Sequence, residues 1–151
     1  MRARALPLAL IAFSLAGLAI SAYLTWAHYQ NAALACADTS FVNCDAVTHS
    51  SFSYVPGTSL PVTLPGLAWF ALSAVLSLFG LRSAEPAWPR VVHFLWALVA
   101  LAAVIYLVRA ELLVIHLICE WCTAVHLLIF ATFVVTLVRL QQLPARAGRG
   151  T

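Results

Sequence analysis

At 151 residues, 64% of them hydrophobic and only 9% charged, the chain carries more apolar surface than a water-soluble globule of its size can hide; soluble domains run at roughly 25% charged and 45–50% apolar residues. The net charge of +3 comes from arginine alone, and the arginines stand at the ends of apolar runs, where they anchor a membrane protein instead of binding nucleic acid. Length and composition therefore predict one all-α integral membrane domain over 1–151, with lipid as its main solvent.

The first apolar run is Leu6 to Tyr29. A basic start and the stretch Ala33-Leu34-Ala35-Cys36 faintly resemble a cleaved leader. The run is about 24 residues, however, well beyond the 7–15 of a signal core, and it reads as a retained span. The connection 30–63 follows, long for a loop in a compact domain and therefore expected to be functional. Phe41, Val42, Val47, Phe52, Tyr54 and Val55 predict a folded cap with a short helix from Cys44 to about Ser53, N-capped by Asn43. Turn chemistry in Pro56-Gly57-Thr58-Ser59 returns the chain to a second span over 64–81, with Pro65 in its first turn.

A third span covers 91–108, after Pro86 and Pro89, and a fourth covers 112–138, before Pro144. At about 1.5 Å per residue, ~20 residues cross a ~30 Å hydrocarbon core, so the second and third runs sit near the lower limit. The residues between the last two spans, Arg109 to Glu111, read as a short solvated turn.

With the N-terminus inside, Arg2, Arg4, Arg82, Arg90, Arg139, Arg146 and Arg149 are cytoplasmic and only Arg109 faces out. That bias places both termini in the cytoplasm and the 30–63 loop outside. All four cysteines then lie on or near the outer, oxidising side: Cys36 and Cys44 in the loop, Cys119 and Cys122 near the outer end of span four.

Cys119-Glu120-Trp121-Cys122 is the sharper signal. Residues three apart share a helix face, and helix N-terminal N–H groups favour the thiolate, the nucleophile of disulfide exchange. A bridge across one turn restrains little chain, so redox chemistry outranks two inert stapling disulfides. His116, Cys119, Cys122 and His126 also form a stripe that suggests zinc or haem, but ligands stacked along one helix do not close a tetrahedron, and no metal is expected. In the redox reading Cys36 meets an outside thiol, Cys44 swings over the bundle to Cys119, and Cys122 faces an interior acceptor.

The loop pair Cys36 and Cys44, the stretch Asn43-Cys44-Asp45-Ala46-Val47, Ser50-Ser51, the Pro65-Gly66 start of span two and Cys119-Glu120-Trp121-Cys122 together resemble the vitamin K epoxide reductase family, in its bacterial form, over nearly the whole chain. The resemblance implies a four-helix bundle in the bacterial cytoplasmic membrane that holds a quinone. It implies that Cys122 interacts with the quinone, that Cys119 exchanges with Cys44, and that Cys36 takes electrons from a thioredoxin-like partner. Because the sequence stops at Thr151 after span four, that partner is expected to be a separate periplasmic oxidoreductase. Ser50, Ser51 and His126 are the candidate quinone contacts.

Animal members place an asparagine early in span two and a tyrosine one turn after the active pair. Here there is no such asparagine, and His126 stands four residues after Cys122. These differences favour a plain quinone, menaquinone or ubiquinone, over vitamin K epoxide. A quinone ~100 mV above a protein dithiol drives two-electron transfer by several kcal/mol, so oxidation of partner thiols is downhill. The five tryptophans read as interfacial belt and core packing, with Trp121 facing lipid or a neighbouring helix.

Overall fold

The computed structural model describes residues 2–37, 39–82 and 86–142, with side chains from Arg4 onward, and every regular element in it is helical. Pro144, Arg146 and Arg149 fall outside these residues. Helix α1 runs over Arg2–Gln30, α2 over Cys44–Thr48, α3 over Thr63–Phe79, α4 over Ala87–Ala110 and α5 over Glu120–Gln141. A 3-10 turn occupies Ser51–Ser53, and a π-helical turn over Glu111–Ile115 continues α4.

Among the described residues, three helical stretches are long and apolar enough to cross a membrane: Arg4–Gln30, Ala87–Ile115 and Glu120–Gln141. Helix α3 is apolar but has 17 residues, about 26 Å at 1.5 Å per residue. The chain is thus a helical protein of membrane character. Helix α1 packs on α3 and α5, and α4 packs on α5 and α3.

Close approach holds the bundle together. A Cβ on Gly17 would run into the ring of Phe70, which is wholly buried, so α1 and α3 meet where the side chain is missing. At the other end of α3, a Cβ on Gly80 would meet the guanidinium of Arg139 and the ring of Pro7. The start of α1 and the ends of α3 and α5 therefore gather at one end of the bundle. Trp69 and Trp96 tie α3 to α4 reciprocally: each indole N–H donates to the other's backbone carbonyl, at 3.0 and 3.3 Å.

Two sequence boundaries are corrected. The break between the last two long helices falls at 116–119, not at 109–111. Arg109 is still in α4, and Glu111 opens the π turn. The fourth run therefore starts as a helix at Glu120, not Leu112. Apart from His116, residues 112–118 are apolar, and they contain no glycine or proline, so nothing in their composition signals a stop. The stop is made by His116, whose backbone enters the left-handed region at φ 58° and donates its N–H to the Glu111 carbonyl. The second correction is to the loop helix, which ends at Thr48 instead of near Ser53. There the His49 ring takes up the Asp45 carbonyl at 2.9 Å and Ser50 is extended.

Asn43 caps α2 as its chemistry suggests, its side-chain oxygen accepting the Ala46 N–H at 2.8 Å. The return to α3 is a turn in which Thr58 N–H bonds the Val55 carbonyl at 2.9 Å. Pro56 and Gly57 sit at its centre, with Gly57 at φ 77°, a conformation that glycine adopts freely.

Candidate functional site

The stretch 41–43 pairs in parallel with Ile118: Ile118 N–H donates to the Phe41 carbonyl at 2.8 Å, and Asn43 N–H to the Ile118 carbonyl at 3.1 Å. The residues that follow are Cys44 on one side and Cys119 on the other. This short bridge brings the loop thiol to the start of α5.

Cys44 and Cys119 are buried, 2% and 0% exposed, in one apolar cluster with Leu24, Ala27, Leu34 and Val47. Cys36, Trp121 and Cys122 pack against the same cluster. Cys36 and Cys44 are joined by a disulfide, with Cα atoms 6.1 Å apart, while Cys119 and Cys122 are free thiols.

The segment bearing Cys36 is strapped down from several elements. Leu34 N–H donates to the Asp45 carboxylate at 3.1 Å, and Ala35 N–H to the Tyr23 hydroxyl at 3.2 Å. The Trp121 indole N–H donates to the Ala35 carbonyl at 2.8 Å, and Ala37 N–H to the Glu120 carboxylate at 3.3 Å. Tyr23 and Trp121 also meet edge to face at 5.1 Å. The residues inside the Cys-x-x-Cys thus fasten the outer cysteine pair to the inner one, and Trp121 has this role instead of only facing lipid or a helix.

Cys119 is not inside the helix, as an i, i+3 pair would require, but is its N-cap. Its backbone is extended, and its sulfur accepts the Cys122 N–H at 3.2 Å. A thiol here meets the positive end of the helix dipole. Hydrogen bonding from Cys122, its side chain first and then its backbone, holds the Cys119 thiol below the usual cysteine range; burial and the nearby Glu111 charge oppose this. Cys119 is therefore the thiol of the pair set up to ionise.

Cys122, one turn inward, opens onto a cavity of about 480 Å³ between the helices and the loop. Binding pockets for small organic molecules are typically about 300–1,000 Å³ and mostly apolar. Here the walls are Trp69, Trp96, Ala100, Val104, Val125 and Ile129, and Val47, Phe52, Val55 and Pro56 come from the loop. Polar groups are few: Ser50, His28, Glu111 and His126 among them.

His126 is 8% exposed and lies on the wall one turn beyond Cys122. Ser50 lines the cavity and donates to the Val47 carbonyl at 2.7 Å, whereas Ser51 is exposed and lies outside the lining. The His/Cys stripe is broken, because His116 leaves the helix and Cys119 only caps α5. Among the described residues, no group of three or more His, Cys, Asp or Glu side chains is placed to hold a metal ion.

Glu111 is the residue sequence reasoning missed. It is 6% exposed instead of solvated, its backbone carbonyl accepts the Leu117 N–H at 3.2 Å just before the Cys119 cap, and it lines the cavity with Cys122. A lone carboxylate within a long apolar run was the available signal. Its closeness to Arg109 disguised it as a turn.

A family model described as the Vitamin K epoxide reductase family matches residues 8–137, which include both cysteine pairs, the loop and the cavity walls. No curated protein matches the chain. By the extent of that match the chain belongs to the vitamin K epoxide reductase family, an oxidoreductase family of membrane redox and disulfide chemistry whose members are generally linked to quinones.

Proposed function

We propose that the protein is a thiol oxidase that takes electrons from a separate, extracytoplasmic thioredoxin-like partner and passes them through its two cysteine pairs to a membrane quinone. The observation that carries this is the single apolar cluster shared by Cys44 and Cys119, with Cys36 packed on one side of it and Cys122 on the other. It supports a path from an outer disulfide to an inner dithiol and on to the cavity beside Cys122.

The fit to a quinone rests on the cavity's chemistry. Its walls are aromatic and aliphatic, suited to a flat ring with an apolar tail, and Ser50, His126 and the Cys122 thiol offer polar atoms to ring oxygens. When bound, the quinone accepts two electrons and two protons. The protein's residues do the rest. A partner thiolate attacks the Cys36–Cys44 disulfide and leaves as its own disulfide, reducing the loop pair. Freed Cys44 then attacks an oxidised Cys119–Cys122 pair at Cys119, and Cys36 resolves the mixed disulfide, so that Cys36–Cys44 re-forms and Cys119 and Cys122 are left as the dithiol. Cys119, favoured as thiolate, closes the disulfide onto Cys122 as the electron pair leaves toward the cavity. The apolar walls keep water from the exchange.

In the membrane we take α3 as a fourth, short span, with both termini cytoplasmic and the α2 segment as a cap on the outer face. The gathering of Arg4, Arg82, Arg90 and Arg139 at helix ends remote from the cysteines supports this orientation.

The test mixes purified protein with a reduced thioredoxin-like protein and a short-chain soluble quinone, and follows quinone reduction. Reduction that needs all four of Cys36, Cys44, Cys119 and Cys122 is expected. Cysteine-independent reduction, or none, would remove the proposal.

A further inference from the structure

Oxidising a dithiol with a quinone moves protons as well as electrons, and the protons need a route out of a buried, apolar place. The two cysteines release two S–H protons; the acceptor gains two O–H bonds. Glu111 shares the cavity wall with Cys122. It is buried, its backbone carbonyl accepts the Leu117 N–H at 3.2 Å in the segment that leads into Cys119, and its charge opposes ionisation of Cys119.

The backbone accounts for that position. Glu111 opens the π-helical turn, where the wider winding that follows α4 leads into the left-handed His116. Such turns insert into longer helices at a cost and cluster at functional sites. A buried carboxyl in an apolar surround is expensive unless it has a task.

We infer that Glu111 is the proton-transfer group of the quinone half-reaction, taking a proton from the Cys119–Cys122 dithiol and delivering it to an acceptor oxygen in the cavity. An S–H bond breaks as a carboxyl O–H forms; that O–H then breaks as the acceptor's O–H forms, and Glu111 returns to its starting state. The electron pair moves separately, as the Cys119–Cys122 disulfide closes. Over the whole half-reaction two thiols and one quinone become one disulfide and one hydroquinone. This rests on the thiol–quinone activity proposed above, but it assigns a residue which that activity does not require.

The other titratable groups facing the cavity are His28 from α1, Tyr106 from α4, and Cys122 and His126 from α5; α3 contributes none. Of these, only Cys122 belongs to the dithiol.

Glu111→Gln keeps the size of the side chain and one oxygen but cannot exchange a proton. Pre-reduced protein is mixed with a short-chain soluble quinone in the absence of partner, and single-turnover reduction is followed across pH. Separately, with no quinone present, thiolate absorbance of a Cys36→Ser/Cys44→Ser background is titrated. E111Q is expected to slow reduction by about 100-fold or more, the usual scale of general acid–base catalysis. It should also remove one limb of the pH profile and change the thiolate titration. Glu111→Asp, which retracts the carboxyl by one methylene, is expected to keep that limb at a rate about tenfold lower.

E111Q with the wild-type rate, profile and titration would overturn the inference, and so would E111D at the full rate if E111Q does not fold. Wild-type protein that reduces no quinone, yet whose thiolate titration depends on Glu111, would count against the proposed activity while leaving the Glu111–dithiol coupling standing.

Discussion

Replacing Trp121 with Phe tests how the outer cysteine pair is held. The change removes one hydrogen bond, from the indole N–H to the Ala35 carbonyl at 2.8 Å, and keeps an aromatic ring near Tyr23. A net hydrogen bond is worth about 0.5–1.5 kcal/mol; this one is exposed, which favours the lower half of that range. The Ala35 carbonyl is adjacent to Cys36, so the bond keeps Cys36 near Cys44. Its loss lowers the effective concentration of one thiol at the other. With tenfold per 1.4 kcal/mol, 0.5–1 kcal/mol corresponds to a roughly two- to fivefold fall in the equilibrium constant for closing Cys36–Cys44. The assay equilibrates a Cys119→Ser/Cys122→Ser background with defined glutathione ratios and counts free thiols by mass after alkylation. Tyr23→Phe, which removes the longer bond to Ala35 N–H at 3.2 Å, should have a smaller effect in the same direction. A Trp121→Phe constant equal to wild type, or a higher one, would refute the strap.

Cys122→Ala removes the largest influence lowering the Cys119 pKa, so in a Cys36→Ser/Cys44→Ser background the thiolate absorbance of Cys119 should rise only at higher pH; an unchanged midpoint would contradict the assignment. Because a lowered acid pKa means more thiolate at neutral pH, the same variant should react more slowly with small disulfides there. Gly17→Val drives side-chain atoms into the buried Phe70 ring and should destabilise the protein by about 1–3 kcal/mol or more, read as a drop in thermal midpoint, whereas Gly57→Ala, strained at φ 77° but with open space around its Cβ, should cost only about 1 kcal/mol. Ala103→Trp places an indole in the cavity wall and should weaken soluble-quinone binding by roughly tenfold or more, while Leu98→Trp, outside the lining, should leave it alone.

Much of this site is legible in the sequence because its chemistry is carried by rare residues at informative spacings. Four cysteines in an apolar chain, two of them as Cys-x-x-Cys, point to disulfide-related redox chemistry, and Asn43 before Cys44 announces a helix start that the structure contains. The membrane character follows from composition alone. What stayed hidden was set by backbone conformation or by long-range contact. His116 stops a helix through a left-handed conformation that its side chain does not advertise, so the last helix began eight residues too early in the reading. That error moved Glu111 to a solvated turn and placed Cys119 within a helix instead of on its cap. The Val42–Ile118 bridge joins residues 76 positions apart and uses only backbone groups, leaving no trace in side-chain pattern. Likewise, Trp121 looked like a belt residue because the partner of its N–H is a carbonyl in another segment.

Electron passage between the two pairs requires that the loop thiol and the cap thiol of α5 meet. In a Cys36→Ser/Cys122→Ser variant only Cys44 and Cys119 remain, and mild oxidation followed by non-reducing peptide mapping shows where they go. The account predicts rapid, near-complete formation of an intramolecular Cys44–Cys119 disulfide. Persistent free thiols, or bridges only between molecules, would contradict it.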